Sequence, residues 1–262
     1  MNRNGGSPAP ARALSALHAA VTTSRRRFAD WVAGSLLPWR CLLCGEAGAD
    51  GLDLCPACRD ALPWNRSACA RCALPLPAPA PACGRCLRAP PPFAATQAPW
   101  TYAFPLDRLL PRFKFHGDLA AGALVAGRLA RALAPVSRPQ ALVPVPLHRQ
   151  RLRERGYDQA LELARPLARS LGLPLLADGL RRERATAAQS ALDAKARRRN
   201  VRGAFAVSPR TTWPAHVALV DDVMTTGATL GECARVLRAA GVARVDVWVA
   251  ARVAGPLFVG AT

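Results

Sequence analysis

A run of apolar strand formers that stops at two carboxylates, turns through small residues and resumes as a helix leaves few folds open. Residues Val217–Leu230 read VALVDDVMTTGATL. Val217–Val220 form the apolar run, Asp221 and Asp222 close it, a small-residue turn follows over Val223–Thr229, and the spacing from there through Leu237 predicts a helix. This order puts Thr225, Thr226, Gly227, Ala228 and Thr229 at a helix N-terminus, where backbone N–H groups and hydroxyls can wrap a phosphate. Gly227 permits a positive φ and close approach of backbone to ligand. Asp221 and Asp222 are acceptors, suited to the two hydroxyls of a ribose ring or to a Mg²⁺ ion bound there. The expected ligand is therefore a ribose 5-phosphate moiety.

The flanking segments extend the pattern. Ala141–Leu147, Ala204–Val207 and Val245–Ala251 read as short apolar strands, and Trp100–Phe104 as an aromatic one. Leu119–Leu133 and Gly156–Leu171 read as helices. Strands alternating with helices predict an α/β fold with a parallel sheet. Such sheets bind ligands outside the carboxyl ends of their strands, where Asp221 and Asp222 are expected.

A second signal lies near the other end. Eight of the 9 cysteines form CxxC pairs, Cys41/Cys44, Cys55/Cys58, Cys69/Cys72 and Cys83/Cys86, with ten residues between successive pairs. Two CxxC knuckles complete a tetrahedral Zn²⁺ site, so the spacing predicts two structural Cys₄ zinc sites. Short loops favour sequential pairing, and an interleaved cross-brace stays open. Disulfides suit a secreted chain, but no leader with a long apolar core precedes these cysteines. The expected compartment is the cytoplasm. Thioredoxin-like chemistry needs one CxxC at a helix start, which four pairs in a Pro-rich stretch do not provide. Cys233 reads as a small buried residue of the helix after the phosphate turn.

Three regions follow. Residues 1–35 comprise a Gly/Pro/Ser-rich start expected to be disordered and a basic amphipathic helix. Residues 36–92 carry the cysteines, with too little apolar core to fold without metal. Residues 93–262 carry the α/β pattern. Apolar residues from Leu14 to Leu37 recur at helical spacing around Arg25–Arg27, which suits packing on the protein itself, docking to a partner or peripheral membrane association. No apolar stretch reaches about eighteen residues, so no transmembrane span is expected. The formal net charge of +19 attracts polyanions. Arg-rich composition also follows from genomic base bias, so charge alone does not establish nucleic-acid binding. Only 6% of residues are aromatic, which leaves few stacking platforms for bases. Arg149, Arg151, Arg153 and Arg155 follow one predicted strand, and Arg181–Arg202 forms a second basic segment. Basic loops beside a phosphate site can clamp pyrophosphate in a transition state.

Val217–Leu230 resembles the phosphoribosyl-pyrophosphate signature of type I phosphoribosyltransferases. In that family the acid pair takes the ribose hydroxyls and the loop takes the 5′-phosphate. Further strings narrow the resemblance: Leu36–Cys41, Phe113–Asp118, Val143–Pro146, Arg155–Gln159, and the spaced set Arg184, Thr186, Gln189, Leu192, Arg197 and Asn200 before Phe205. In this order behind a cysteine module, the chain resembles the ComF family of bacterial competence proteins from about Leu36 to Arg252. The resemblance implies a double zinc ribbon followed by a phosphoribosyltransferase-like domain, acting in natural transformation with incoming single-stranded DNA and other competence proteins. It places Val145 and Pro146 near the pyrophosphate, with Arg155, Gly156, Asp158, Gln159 and Arg197 beside it. The family usually has asparagine where this chain has Asp158, and a carboxylate there alters any anion contact. The expected activity is phosphoribosyl transfer, with Mg²⁺, to an acceptor that no motif names. The alternative is a non-catalytic nucleotide or single-stranded DNA binder, and a weaker one is a zinc-ribbon module with a purely structural α/β part. Arg252, after the last strand, is a candidate base contact or a solvent-facing residue.

Overall fold

The computed structural model describes residues 38–185 and 199–254. The basic segment Leu14–Leu37, with the membrane association it suggests, and Thr186, Gln189, Leu192 and Arg197 lie outside the described residues. The chain divides into two compact units, Met1–Pro56 and Ala57–Thr262.

The first unit contains the turns around the first CxxC knuckle. Gly45 N–H donates to Cys41 O at 2.9 Å, and Gly48 N–H to Trp39 O at 2.7 Å. A Cβ on Gly48 would lie 2.2 Å from Leu52 O, so only glycine lets the two backbones cross there.

The second unit is built on a parallel sheet. Its strands are β1 (Thr96–Gln97), β2 (Trp100–Thr101), β3 (Ala141–Pro144), β6 (His216–Met224) and β7 (Arg244–Arg252). The order is β1-β7-β6-β3, with β2 also pairing β7. Strands β4 (Leu180–Arg182) and β5 (Phe205–Val207) form a separate antiparallel pair. The longer helices are α1 (Leu106–His116), α2 (Leu119–Leu133), α3 (Arg149–Arg155), α4 (Gln159–Leu171) and α5 (Ala228–Ala239), besides the five-residue helices Pro56–Asp60 and Gly84–Arg88 in the cysteine segment. Val217–Val220 are wholly buried, as a central parallel strand covered on both faces demands. Helix α4 packs on β3 and β6, and α5 packs on β6 and β7.

Several expected boundaries move, each for a local reason. β3 ends at Pro144 although Val145 N–H still bonds Val220 O; Pro146 has no N–H to continue the ladder. The Gly156–Leu171 helix begins instead at Gln159, because Gly156, at φ 84°, closes α3 and Asp158 caps α4. Trp100–Phe104 shrinks to Trp100–Thr101. Helix α1 has no counterpart among the expected elements, since Pro111 interrupts its sequence. An interior proline costs roughly 3 kcal/mol. Burial of Leu106, Leu109, Leu110 and Phe113, at roughly 1.5–3 kcal/mol for each large apolar side chain, outweighs it.

The second cysteine group is part of this unit's core. Cys69, Cys72, Cys83, Cys86 and Phe93 share one apolar cluster with Val217 and Leu219 of β6, Val245, Val247 and Val249 of β7, and Leu230, Cys233 and Leu237 of α5. Polar ties fix it there: Thr96 Oγ1 donates to Arg71 O at 2.7 Å, and Asn65 Nδ2 to Ala73 O and Ala98 O.

Candidate functional site

The cysteines come together in sequential quartets. Cys41, Cys44, Cys55 and Cys58 form one and Cys69, Cys72, Cys83 and Cys86 the other, with the sulfur atoms of each within 4.8 Å of one another. Cys44 Sγ lies 3.6 Å from Cys55 Sγ, and Cys72 Sγ 3.7 Å from Cys83 Sγ. A tetrahedron of Zn–S bonds about 2.3 Å long has S···S edges of about 3.8 Å, so the spacing fits the ion. It is far longer than a disulfide's roughly 2.05 Å, and none of the nine cysteines is in a disulfide. Cys83 N–H donates to Cys69 Sγ at 3.1 Å. Burial alone would raise the thiols of Cys41 and Cys83, but hydrogen bonds pull them down to about 6 and about 7. Burial pushes Cys72 and Cys86 up. Four sulfurs gathered at this spacing suit a shared cation, and both quartets are suited to structural zinc.

The acid pair lies within β6, two residues before its end at Met224, with Asp221 opposite Val249 of β7. It forms the floor of a cleft of about 370 Å³. Asp222 is 2% exposed, and Lys114 of α1 closes on it with Nζ 2.7 Å from Oδ2. Burial would raise the Asp222 carboxyl, yet the Lys114 ammonium holds it below the usual range. Asp221 goes the other way: burial and then the neighbouring Asp222 charge push it well above the carboxylate range. One acid is thus ionised and paired while the other is poised to take a proton or a ligand, a division seen where two carboxylates have different tasks.

At the strand end the backbone passes through Thr225 and Thr226 to Gly227, at φ 76°, which is the N-cap of α5. A Cβ on Gly227 would meet Met224 Cε at 2.5 Å, so both the φ and the space require glycine. Thr226 Oγ1 accepts from Ala228 N–H at 3.3 Å. Thr225, Gly227, Ala228 and Thr229 line the cleft with Asp221 and Asp222. Thr226 instead faces a second cleft of about 770 Å³, on whose wall Cys72, Cys86, Phe93 and Arg202 also lie. The turn is therefore a partition between two cavities.

Val145, Pro146, Arg155 and Gln159 line the same cleft. Arg155 bonds the Gln159 side chain and stacks over Phe115, 5.7 Å from the ring centre. Gly156 and Asp158 do not line the cleft. Asp158 accepts from Ala160 and Leu161 N–H as the cap of α4, and from Leu147 N–H at 2.8 Å. Its carboxylate thus holds the Val145–Leu147 wall to α4, and the acid that departs from the family's asparagine is taken up by backbone. Arg197 lies outside the described residues.

Arg151 and Arg182, one from each basic segment, also line the cleft. So do Lys114 and Tyr102, to which the sequence assigns no role in the site. Lys114 lies 108 residues from Asp222, beyond any spacing argument. One signal does exist: Lys114 and Lys195 are the only lysines in a chain whose other basic side chains, histidine aside, are arginine. The cleft sets four basic side chains, Lys114, Arg151, Arg155 and Arg182, around two acids. That arrangement suits a sugar whose hydroxyls meet the acids and whose phosphates meet the bases.

The double zinc ribbon domain family matches residues 32–87. Competence protein F of Haemophilus influenzae is 42% identical over 159 residues, which cover 58% of this chain and 69% of that protein. DNA utilization protein YhgH of Escherichia coli strain K12 is 34% identical over 221 residues, covering 81% and 89%. Competence protein ComFC of Bacillus subtilis is 31% identical over 140 residues, covering 53% and 55%. The crystal structure of TT1426 from Thermus thermophilus matches 53% of this chain and 86% of its own at 22% identity, with a TM-score of 0.32. The fold is established by the sheet itself and not by that superposition. Among the described residues, no helix is long and apolar enough to cross a membrane.

Proposed function

We propose, for a chain that belongs to the ComF family of bacterial competence proteins, that the acid-floored cleft binds the ribose 5-phosphate part of phosphoribosyl pyrophosphate or of a nucleotide in the handling of incoming single-stranded DNA. The observation that carries this reading is the cleft itself. A helix N-terminus, two adjacent carboxyls that their surroundings push in opposite directions and four basic side chains converge on one cavity. Charge attraction alone would need only the bases.

In this reading Asp221 and Asp222 hold the ribose hydroxyls, and the Thr225–Thr229 turn takes the 5′-phosphate through its backbone N–H groups. For phosphoribosyl transfer, the bond from the anomeric carbon to pyrophosphate oxygen breaks as a bond to the acceptor forms. The bonding pair leaves with pyrophosphate, whose charge Arg151, Arg155 and Arg182 neutralise. The carboxylates stabilise the positive charge that develops on the ribose. Lys114 keeps Asp222 ionised and aimed at the cavity. Magnesium fits as an ion carried by substrate phosphates, because Mg²⁺ needs only one or two protein carboxylates. With Lys114 already on Asp222, Asp221 is the acid to meet it.

The test replaces Asp221 and Asp222 together with alanine in the full chain and follows transformation and single-stranded DNA binding. The expected result is lost transformation with DNA binding unchanged or slightly stronger, since two negative charges are gone. Transformation that persists in this variant and disappears when Arg197, Arg198 and Arg199 are neutralised would favour a non-catalytic polyanion binder. Release of pyrophosphate from phosphoribosyl pyrophosphate on adding candidate bases separates turnover from binding.

A further inference from the structure

The last residue of β7 is an arginine that makes no use of solvent. Arg252 is 2% exposed, and its guanidinium donates to backbone carbonyls. Nε donates to Cys72 O at 2.9 Å, and Nη1 donates to Met224 O at 3.0 Å and to Val253 O at 2.6 Å. Among the described residues, no carboxylate is within ion-pair distance of its guanidinium. Cys72 belongs to the buried cysteine quartet, and Met224 is the residue from which the phosphate turn departs. One side chain therefore spans from metal knuckle to ligand loop.

A buried guanidinium without a countercharge is costly. A zinc ion with four thiolates carries a net charge of about −2, which suits a cation buried against its knuckle. Loss of the ion lets the knuckle open and frees the Cys72 carbonyl, the acceptor of Arg252 Nε, to move. Met224 O also accepts Val253 N–H at 3.0 Å, so a displaced Arg252 acts on the very turn that ends β6. On that side the turn borders the second cleft, which leaves it room to shift.

We infer that Arg252 is a positioning residue that couples metal occupancy of the second cysteine quartet to the geometry of the Thr225–Thr229 turn. The ligand half of this inference rests on the proposed ribose-phosphate function; the mechanical half does not. Zinc at the second quartet is then a condition for a formed phosphate cradle, and metal starvation lowers ligand affinity before it unfolds the sheet.

The experiment uses the full zinc-loaded chain, its Arg252→Gln and Arg252→Lys variants, and Cys44→Ser as a control at the other quartet. Three quantities are read: zinc per chain, hydrogen exchange of the Thr225–Ala228 amides against those of α4, and titration with ribose 5-phosphate. Arg252→Gln is expected to keep its zinc, speed exchange at Thr225–Ala228 about tenfold while α4 is unchanged, and weaken ribose 5-phosphate about tenfold, a coupling of ordinary size. Arg252→Lys, which keeps the charge, is expected to recover part of both effects. Should Arg252→Gln not accumulate folded, Arg252→Lys alone decides, with a smaller acceleration expected. Mild chelation of the parent chain is expected to speed exchange at Thr225–Ala228 at chelator levels below those that speed exchange in α4. Unchanged exchange at Thr225–Ala228 in folded variants, or the same acceleration in Cys44→Ser, overturns the coupling. If the parent itself binds no ribose 5-phosphate, the functional reading fails while the exchange data still decide the coupling.

Discussion

The second cysteine quartet and the acid-floored cleft are both gatherings of potential negative charge beside a cation, yet one is closed and the other open. The quartet's residues are at most 6% exposed, complete each other's tetrahedron and lie inside the apolar cluster of the sheet. Nothing is left over for a substrate, which is the mark of a structural metal site. In the cleft, Lys114 satisfies Asp222 while Asp221 stays half-buried with its carboxyl pushed far up. That acid is held at a cost which a ligand can relieve. The difference teaches where function lies: a satisfied cluster stabilises the fold, and an unsatisfied one at a cavity floor awaits a partner.

The largest expected effect comes from opening the closed cluster. Cys72→Ser should release about one zinc per chain and destabilise the Ala57–Thr262 unit by more than about 5 kcal/mol, because binding energy at such sites is folding energy. Elemental analysis and denaturant unfolding measure both. A variant that keeps its stability would place the quartet outside the core. Next is Lys114→Met, which strands Asp222 as a buried charge. Fully buried pairs broken in this way lose about 3–5 kcal/mol; with the lysine side chain 30% exposed, about 2–3 kcal/mol is expected. Denaturant unfolding at neutral pH checks it.

Asp221→Asn should move stability upward. A carboxyl raised in the fold contributes stability that is complete below its unfolded value, about pH 4, and is lost as pH rises through the folded value. Asparagine removes that loss, so at neutral pH the melting temperature should rise by about 2–4 °C, with the gain vanishing below about pH 4. A melting profile across pH reads this directly, and a variant less stable than the parent at neutral pH contradicts the assignment. Asp222, held low, has the opposite linkage: its stabilisation is present above about pH 4 and disappears as pH falls through its folded value. The smallest effect is expected for Cys44→Ser. Its thiol is exposed, so one zinc should leave while stability of the Ala57–Thr262 unit changes by less than about 0.5 kcal/mol.

What can be read in the sequence is what depends on local spacing. The CxxC turns announce their ligands within fifteen or so residues, and β6 with its turn and α5 carries strand, cap and helix signals in one string. Helix α2 spans Leu119–Leu133 as expected because nothing interrupts its apolar stripe. Helix α1 is hidden by Pro111, whose penalty only tertiary burial offsets. Lys114 sits in a family string without a role, since its role depends on a contact 108 residues away. Arg252 reads in sequence as a base contact or a surface residue, and the structure buries it against three carbonyls. Asp158 reads in sequence as a residue beside the pyrophosphate, within a helix expected from Gly156, and the structure makes it the cap of α4.

Whether the cleft is a ribose-phosphate site is decided most directly by calorimetric titration of the full, zinc-loaded chain with phosphoribosyl pyrophosphate and Mg²⁺, beside the Asp221→Ala/Asp222→Ala variant. The expected result is saturable binding by the parent, none by the variant, and two zinc ions per chain in both. Equal binding by the two proteins, or none by a parent that holds its zinc, would contradict the ribose-phosphate reading.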